Sequence, residues 1–570
     1  MKMARVGVLL DQTAVKRRHR YGMNVFEAYV EEVLSHAGIP FQKLHAASSI
    51  QTEAPDVLIA AFTEEDQYTA DIIWEYAEKG GIVISYGGLN CLAVRLGFYP
   101  QPDIAIGYAD MEGTVLSAEQ PLRFLQAKPW KQIAESDHQI SVSGMLRKEH
   151  PTGEEAGAVL LQCAAGEGWI DRFAVNIPHT IVMFQQGTGP VFHDGIPALD
   201  GSGSIDDNIL KADDRCAMDW QWDRLSTETG AAFFAYPYAD LWREQLISHL
   251  LKRVLEQGMT LPFIGIWPDG IPGVATISHD SDLNIDESAE TTLSVLRECG
   301  IRSTWCMIEP GYSSYIYDQV KKEQHELAFH YNALDAQDGK WDDAEFDRQF
   351  AWMKQATGLS KVTSNKNHYT RFEGWGELFE WCEKNGIEAE QTRGPSKKGN
   401  IGFLFGTCHP YFPIAWSDQN NRLYNVLEIS FLTQDLDHHS LSDSSVISSF
   451  LESVLRVEGA AHFLFHQVHI HEQPLVRKAI RKVVEEAKRR GMTFWTSKQI
   501  NDWERARRKV RIDGMDSNGL VIRGEVEFGG MEVWIPTAAA SSADGAEVEI
   551  KYGVPCVKKV LDQTAQREFM

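Results

Sequence analysis

The chain has 570 residues, 43% of them hydrophobic and 10% aromatic, which is a globular composition and excludes a largely disordered chain. A net charge of −25 argues against nucleic acid and anionic membrane surfaces as partners, since both reward a basic face. The eight cysteines contain no Cys-x-x-Cys pair, which argues against a cysteine zinc site and against a disulfide framework.

An apolar strand is predicted at 5–10, with no charged and apolar leader pattern before it. No window reaches the length of an apolar membrane span, so the chain reads as cytoplasmic. A helix over 24–37, a strand at 56–61, a helix over 68–79 and a strand at 81–86 follow. This alternation predicts a parallel, doubly wound sheet. Further on, strands are predicted at 158–163 and 181–185, and a helix over 238–256 closes a first domain at 1–258.

The region 259–510 has a more regular rhythm. Strands are predicted at 274–277, 303–308, 326–330, 361–364, 387–391, 426–431, 462–466 and 493–496. Helices are predicted over 286–299, 314–324, 344–357, 375–385, 442–457 and 474–490. Repeated β/α units suggest a distorted (β/α)7 barrel, although an open sheet fits the same periodicity. In the tail, 511–570, short strand-like runs at 519–522, 525–528, 532–535 and 547–551 are broken by Gly529-Gly530 and the Ala/Ser/Gly stretch 538–545. They read as a small β-sandwich. The fold class is therefore α/β: a distorted barrel, an N-terminal doubly wound domain and a small C-terminal β-sandwich.

Polar clusters recur at the predicted strand ends of the second region, where active sites form in α/β folds. The first is His279-Asp280-Ser281-Asp282. Asp280 and Asp282 are two apart and share a face of an extended segment. One can hold a metal while the other takes a proton from a water beside it; an N-cap for the following helix is the plainer reading. His330 ends the next cluster, with Asp335 five residues on. His368 and Arg371 follow another strand and can bind substrate or steer a catalytic acid. The loop 406–413 carries His409 and Tyr411 between prolines, and its aromatic faces can stack on sugar rings. His466 falls at a strand end suited to a general acid. His466, His469 and His471, with Glu472, can alternatively form a second metal site.

On these motifs, residues 274 to about 500 resemble a polysaccharide deacetylase domain, the chitooligosaccharide-deacetylase homology family. The resemblance implies a barrel with a divalent metal, commonly zinc, held by one Asp and two His, with an early Asp as base and a late His as acid. Carried over, Asp280 is the base, His466 the acid, and Asp282 and His330 are metal ligands. The family's second motif reads His-x-x-x-His; here Leu334 stands four after His330, so Asp335 or His368 has to substitute. Asp335 is assigned to the metal, and His368, Arg371, His409 and Tyr411 to the substrate. The first region resembles the class I glutamine-amidotransferase-like fold. Its nucleophile turn would need Gly-x-Cys-x-Gly, whereas Tyr86-Gly87-Gly88-Leu89-Asn90-Cys91 places the cysteine several residues past the strand, so the domain reads as non-catalytic.

The leading expectation is a metal-dependent deacetylase of a carbohydrate or related small acylated molecule, with no nucleic-acid or membrane partner and a homo-oligomer left open. The competing readings are a degenerate carbohydrate-binding scaffold and a glycoside hydrolase using Asp280 with an acid such as Asp435.

Overall fold

Two parallel sheets organise the chain, and the polar loops at the strand ends of the second one build the site. The computed structural model describes all residues except 115, 117, 134–137, 204–207, 439–440, 517–518, 539–546 and 563–570. The N-terminal region holds a seven-stranded sheet in the order Ile140–Ser143, Leu160–Ala165, Gly168–Phe173, Ile82–Tyr86, Val57–Phe62, Val6–Leu10, Gln42–Leu44. The last five of these are mutually parallel, as the βαβαβ rhythm predicts, and Leu160–Ala165 and Ile140–Ser143 add an antiparallel edge. A helix not anticipated, Gln12–Arg20, follows the first strand, capped by the Asp11 side chain.

The apolar run expected as a strand at 181–185 lies inside the helix Ile177–Gln186. Asn176 caps that helix through the His179 amide, and Pro178 sits in its first turn, where a missing N–H costs nothing. These start signals outweigh the apolar run.

The second sheet is curled and all parallel. Its nine strands run Leu427–Glu428, Ala389–Glu390, Ser364–Asn367, Glu326–Tyr331, Thr304–Met307, Val274–Asp280, Ala460–Leu464, Thr433–Gln434, with Thr493–Phe494 also pairing to Val274–Asp280. Residues 427–434 serve both edges: Leu427–Glu428 pairs with Ala389–Glu390, and Thr433–Gln434 pairs with Ala460–Leu464. Helices Asp286–Cys299, Ser314–Lys322, Asp343–Thr357, Glu377–Asn385, Ile447–Arg456 and Pro474–Arg489 match the predicted ones within a few residues. A further helix, Ser497–Lys509, opens on a capping box between Thr496 and Gln499.

The tail does not form a sheet on its own. Met531–Pro536, Val554–Leu561 and Val548–Lys551 join Phe263–Pro268 in one four-stranded sheet, while Arg511–Asp516 and Gly519–Arg523 form a separate hairpin. The run at 525–528 is not a strand, and most of the stretch 538–545 lies outside the described residues. The largest apolar cluster also crosses the expected boundary at 258, joining Phe26, Phe184 and Trp242 to Trp375, Phe405 and Trp534. Among the described residues no helix is long and apolar enough to cross a membrane.

Candidate metal centre

The strand Val274–Asp280 is buried along its whole length and ends in a sharp turn. Asp282 and Asn284 adopt positive φ there, at 24° and 52°. Such backbone is costly for a residue with a Cβ and is tolerated most readily by Asp and Asn. Ser281 holds the turn: its amide donates to Cys306 O at 3.1 Å, and its hydroxyl accepts from the Ile308 amide at 3.1 Å. The turn is thereby tied to the neighbouring strand, and the Asp282 carboxylate is brought over the strand ends.

Three side chains from separate strand ends meet at this point. His330 Nε2 lies 3.4 Å from Asp282 Oδ1, and His368 Nδ1 lies 3.3 Å from the same oxygen. Ligands about 2.0–2.1 Å from one tetrahedral ion stand about 3.3–3.4 Å from each other, so the spacing is that of a shared cation. His330 is fully buried; its Nδ1 faces the Lys366 carbonyl at 2.9 Å, which makes Nδ1 the N–H donor and leaves the Nε2 lone pair facing Asp282. His330 Nε2 and Asp282 Oδ1 are both buried without a hydrogen-bond partner. Both atoms thus have a free lone pair that an added cation can take up. One carboxylate and two imidazoles suit a zinc-like divalent ion. Burial alone would raise the Asp282 carboxyl, but the charge of His466 and the nearness of His330 and His368 outweigh it and hold the group well below the usual carboxylate range.

Asp280 shares the inward face of its strand with Ser278. Its Oδ2 is 3.8 Å from His330 Nε2, and its Oδ1 is 3.5 Å from Lys366 Nζ. Lys366 is fully buried. Its ammonium donates to Ser278 Oγ at 2.5 Å and lies 5.0 Å from the centre of the Phe431 ring. The chain of contacts continues inward. Ser278 Oγ lies 2.8 Å from His462 Nε2, and His462 Nδ1 lies 3.0 Å from Ile429 O, so His462 donates from Nδ1 and accepts at Nε2. Burial, with the Lys366 charge beside it, pushes His462 well below the ordinary histidine range and keeps it neutral.

His466 follows the strand Ala460–Leu464 and precedes the short helix Gln467–Glu472. Its Nε2 is 3.6 Å from Asp282 Oδ2. Its Nδ1 donates to Asp435 Oδ2 at 2.5 Å, and its amide donates to Asp435 Oδ1 at 2.8 Å. Burial alone would lower this imidazole, but the charges of Asp435 and Asp282 prevail and push it up to about 10. His466 is thus an imidazolium at neutral pH.

These groups open onto a cleft of about 490 Å³ whose walls include Lys211, Tyr369, Lys398 and Gln434. Tyr369 takes a left-handed backbone conformation, φ 56°, and exposes half of its surface at the mouth, edge-on to His368. Lys211 shows that the N-terminal region contributes to this wall, bridging to Arg371 through the backbone.

Several sequence-based assignments need correction. Asp335, expected on the metal, has a side chain 81% exposed and faces Arg371 at 3.8 Å, away from the other ligands; His368, expected on the substrate, takes the place beside Asp282. His409 and Tyr411, also expected on the substrate, are core residues. His409 Nε2 donates to Val457 O at 2.5 Å and its ring packs edge-on to His36, while Tyr411 Oη donates to Gln185 O at 2.7 Å on the N-terminal helix Ile177–Gln186. Arg371 is engaged by Glu373 and the Ala333 carbonyl and braces the loop behind His368. His471 turns away to Thr291 Oγ1 at 2.8 Å, so His466, His469 and His471 do not form a ligand set. Cys91 sits half-buried past its strand, and burial together with Glu65 pushes its thiol up, the reverse of an activated nucleophile.

Lys366 and the pairing of Asp435 with His466 escaped the sequence reading. A run of polar residues, Ser364–Asn367, buried at every position inside a parallel sheet is the signal that could have exposed Lys366.

No family model matches the chain, and no curated protein matches it. Among solved structures, a proposed polysaccharide deacetylase from Mycobacterium smegmatis is similar over 42% of this chain and 92% of its own, at 15% identity and a TM-score of 0.32. The Xyl-CE4 domain of a multidomain xylanase from the hindgut metagenome of Trinervitermes trinervoides is similar over 41% of this chain and 91% of its own, at 13% identity and a TM-score of 0.25. A β-galactosidase from Rahnella sp. R3 is similar over 30% of this chain and 29% of its own, at 13% identity and a TM-score of 0.24. At these TM-scores the likeness carries no weight for the chemistry, which follows from the chain's own residues.

Proposed function

We propose that the protein is a metal-dependent deacetylase that removes acetyl groups from a carbohydrate or related small acylated substrate. The observation that carries this reading is the meeting of Asp282, His330 and His368 at ligand spacing, with Asp280 3.8 Å from His330 and His466 3.6 Å from Asp282. A divalent cation bound there, zinc being suited to the donor set, would polarise the acetyl carbonyl and acidify a water beside it.

The chain's own groups supply the proton transfers. Asp280 accepts the proton of the attacking water; its Oδ1 is buried with no hydrogen-bond partner and lies 3.5 Å from Lys366 Nζ. The His466 imidazolium, oriented by Asp435, gives its proton to the leaving nitrogen or oxygen as the acyl bond breaks. Tyr369 offers an exposed ring for a sugar face at the cleft mouth.

Asp435 does not fit the proton-donating role of a glycosidase pair. Burial would raise that carboxyl, but His466 and His469 overcome it and hold the group well below the usual carboxylate range, so it stays ionised and has no proton for a leaving group.

The test is acetate release from N-acetylated and O-acetylated oligosaccharides by the full chain. Release that stops with a chelator, returns with zinc and is lost in Asp280→Asn supports the reading. Binding of the oligosaccharides without any acetate release would instead make the chain a carbohydrate-binding scaffold.

A further inference from the structure

A second set of metal-capable groups lies beside the first and shares a residue with its acid. Asp435, His438 and His469 each offer a ligand atom, all within 4.8 Å of one another. His469 Nδ1 stands 2.9 Å from Asp435 Oδ2 as an ion pair. The His438 and His469 rings lie face to face with centres 3.7 Å apart. His438 is partly solvent-accessible, which leaves an ion a path to the cluster.

Asp435 is the link between the two clusters. Its Oδ2 accepts from His466 Nδ1, and the other nitrogen of His466 faces Asp282. One imidazole therefore stands between two ligand sets. A cation drawing on Asp435 Oδ2 competes for the oxygen that orients His466.

We propose that Asp435, His438 and His469 form a second, weaker site for a zinc-like divalent cation, and that its occupation inhibits the enzyme by taking Asp435 from His466. Two imidazoles and one carboxylate are donors for such ions and not for calcium or magnesium, which favour oxygen ligands. The site is expected to be the weaker one, since its carboxylate is already committed to His466. The binding half of this inference stands on the cluster's geometry alone; the inhibitory half rests on the role proposed above for His466.

The experiment is a zinc titration of the metal-free full chain, read by calorimetry and by elemental analysis after gel filtration in excess zinc. The wild type is expected to bind two equivalents in separable phases. His438→Ala, and independently His469→Asn, should lose the weaker phase and keep the tighter one, while Asp282→Ala should do the reverse. One equivalent in the wild type at saturating zinc, or two equivalents retained in both histidine variants, would overturn the proposal. Acetate release should fall about tenfold or more as the weaker phase fills, the range seen when a group orienting an active residue is lost, and should not fall in His438→Ala. Inhibition that persists equally in His438→Ala would overturn the inhibitory half. Loss of the tighter phase from the wild type with the weaker one intact would count against the deacetylase reading and leave the second site standing.

Discussion

His368 Nδ1 stands 3.3 Å from Asp282 Oδ1, at the distance His330 Nε2 holds on the same oxygen to within a tenth of an ångström. The third candidate ligand therefore comes from a different strand end than the one carrying His330. His368→Ala is expected to weaken zinc binding about 100-fold or more, since a three-ligand set is reduced to two. Asp335→Ala, at an exposed position, should leave metal content unchanged. Elemental analysis of the two variants after dialysis checks both.

Lys366 places a buried positive charge beside Asp280. Lys366→Met removes that charge with little change in volume. It is expected to lower kcat by about 100-fold, the scale of a general base that loses its positioning, with KM changing far less. Steady-state kinetics of variant and wild type at one pH, with equal zinc content in both, read the change.

His466 links the site to stability. Its imidazole is pushed up to about 10 in the folded chain, against about 6.5 when unfolded. The stabilisation is therefore complete below about pH 6.5 and is lost as pH rises toward 10. Metal-free wild type should lose melting temperature across that window, and His466→Gln should show a flatter profile. Burial lowers His325 to about 4, which has the opposite consequence. The unfolded chain takes up that proton first, so stability falls as pH drops from about 6.5 to 4. His325→Gln should blunt the acid limb by an amount on the order of 1–3 kcal/mol. Calorimetric melting of the metal-free proteins over pH 4–10 reads both.

Tyr411 belongs to the core rather than to the cleft. Tyr411→Phe should cost about 1 kcal/mol of stability by removing the bond to Gln185 O, with KM unchanged. A raised KM would return this loop to the substrate.

The readable part of the site lay where apolar strands end in polar clusters. Asp280, Asp282, His330 and His466 announce themselves this way, because each stands at or just past the end of an apolar run. Lys366 did not, since its strand is polar throughout and hydrophobic periodicity points three residues too early. Its burial depends on Ser278 and Asp280, which come from a strand remote in sequence. The choice between His368 and Asp335 turns on loop direction, which spacing does not encode. His409 and Tyr411 look exposed because proline-aromatic loops usually are; here the N-terminal region covers them, a long-range contact that local pattern cannot report. The helix at Ile177–Gln186 was hidden for the converse reason: its apolar run resembles a strand, and only Asn176 and Pro178 mark its start.

X-ray absorption at the zinc edge, on full chain loaded with one equivalent of zinc, tests the central claim most directly. The account predicts a first shell of nitrogen and oxygen at about 2.0–2.1 Å with the outer-shell scattering of two imidazoles and no sulfur. A spectrum without imidazole scattering, or one that is unchanged in His330→Ala and His368→Ala, would contradict it.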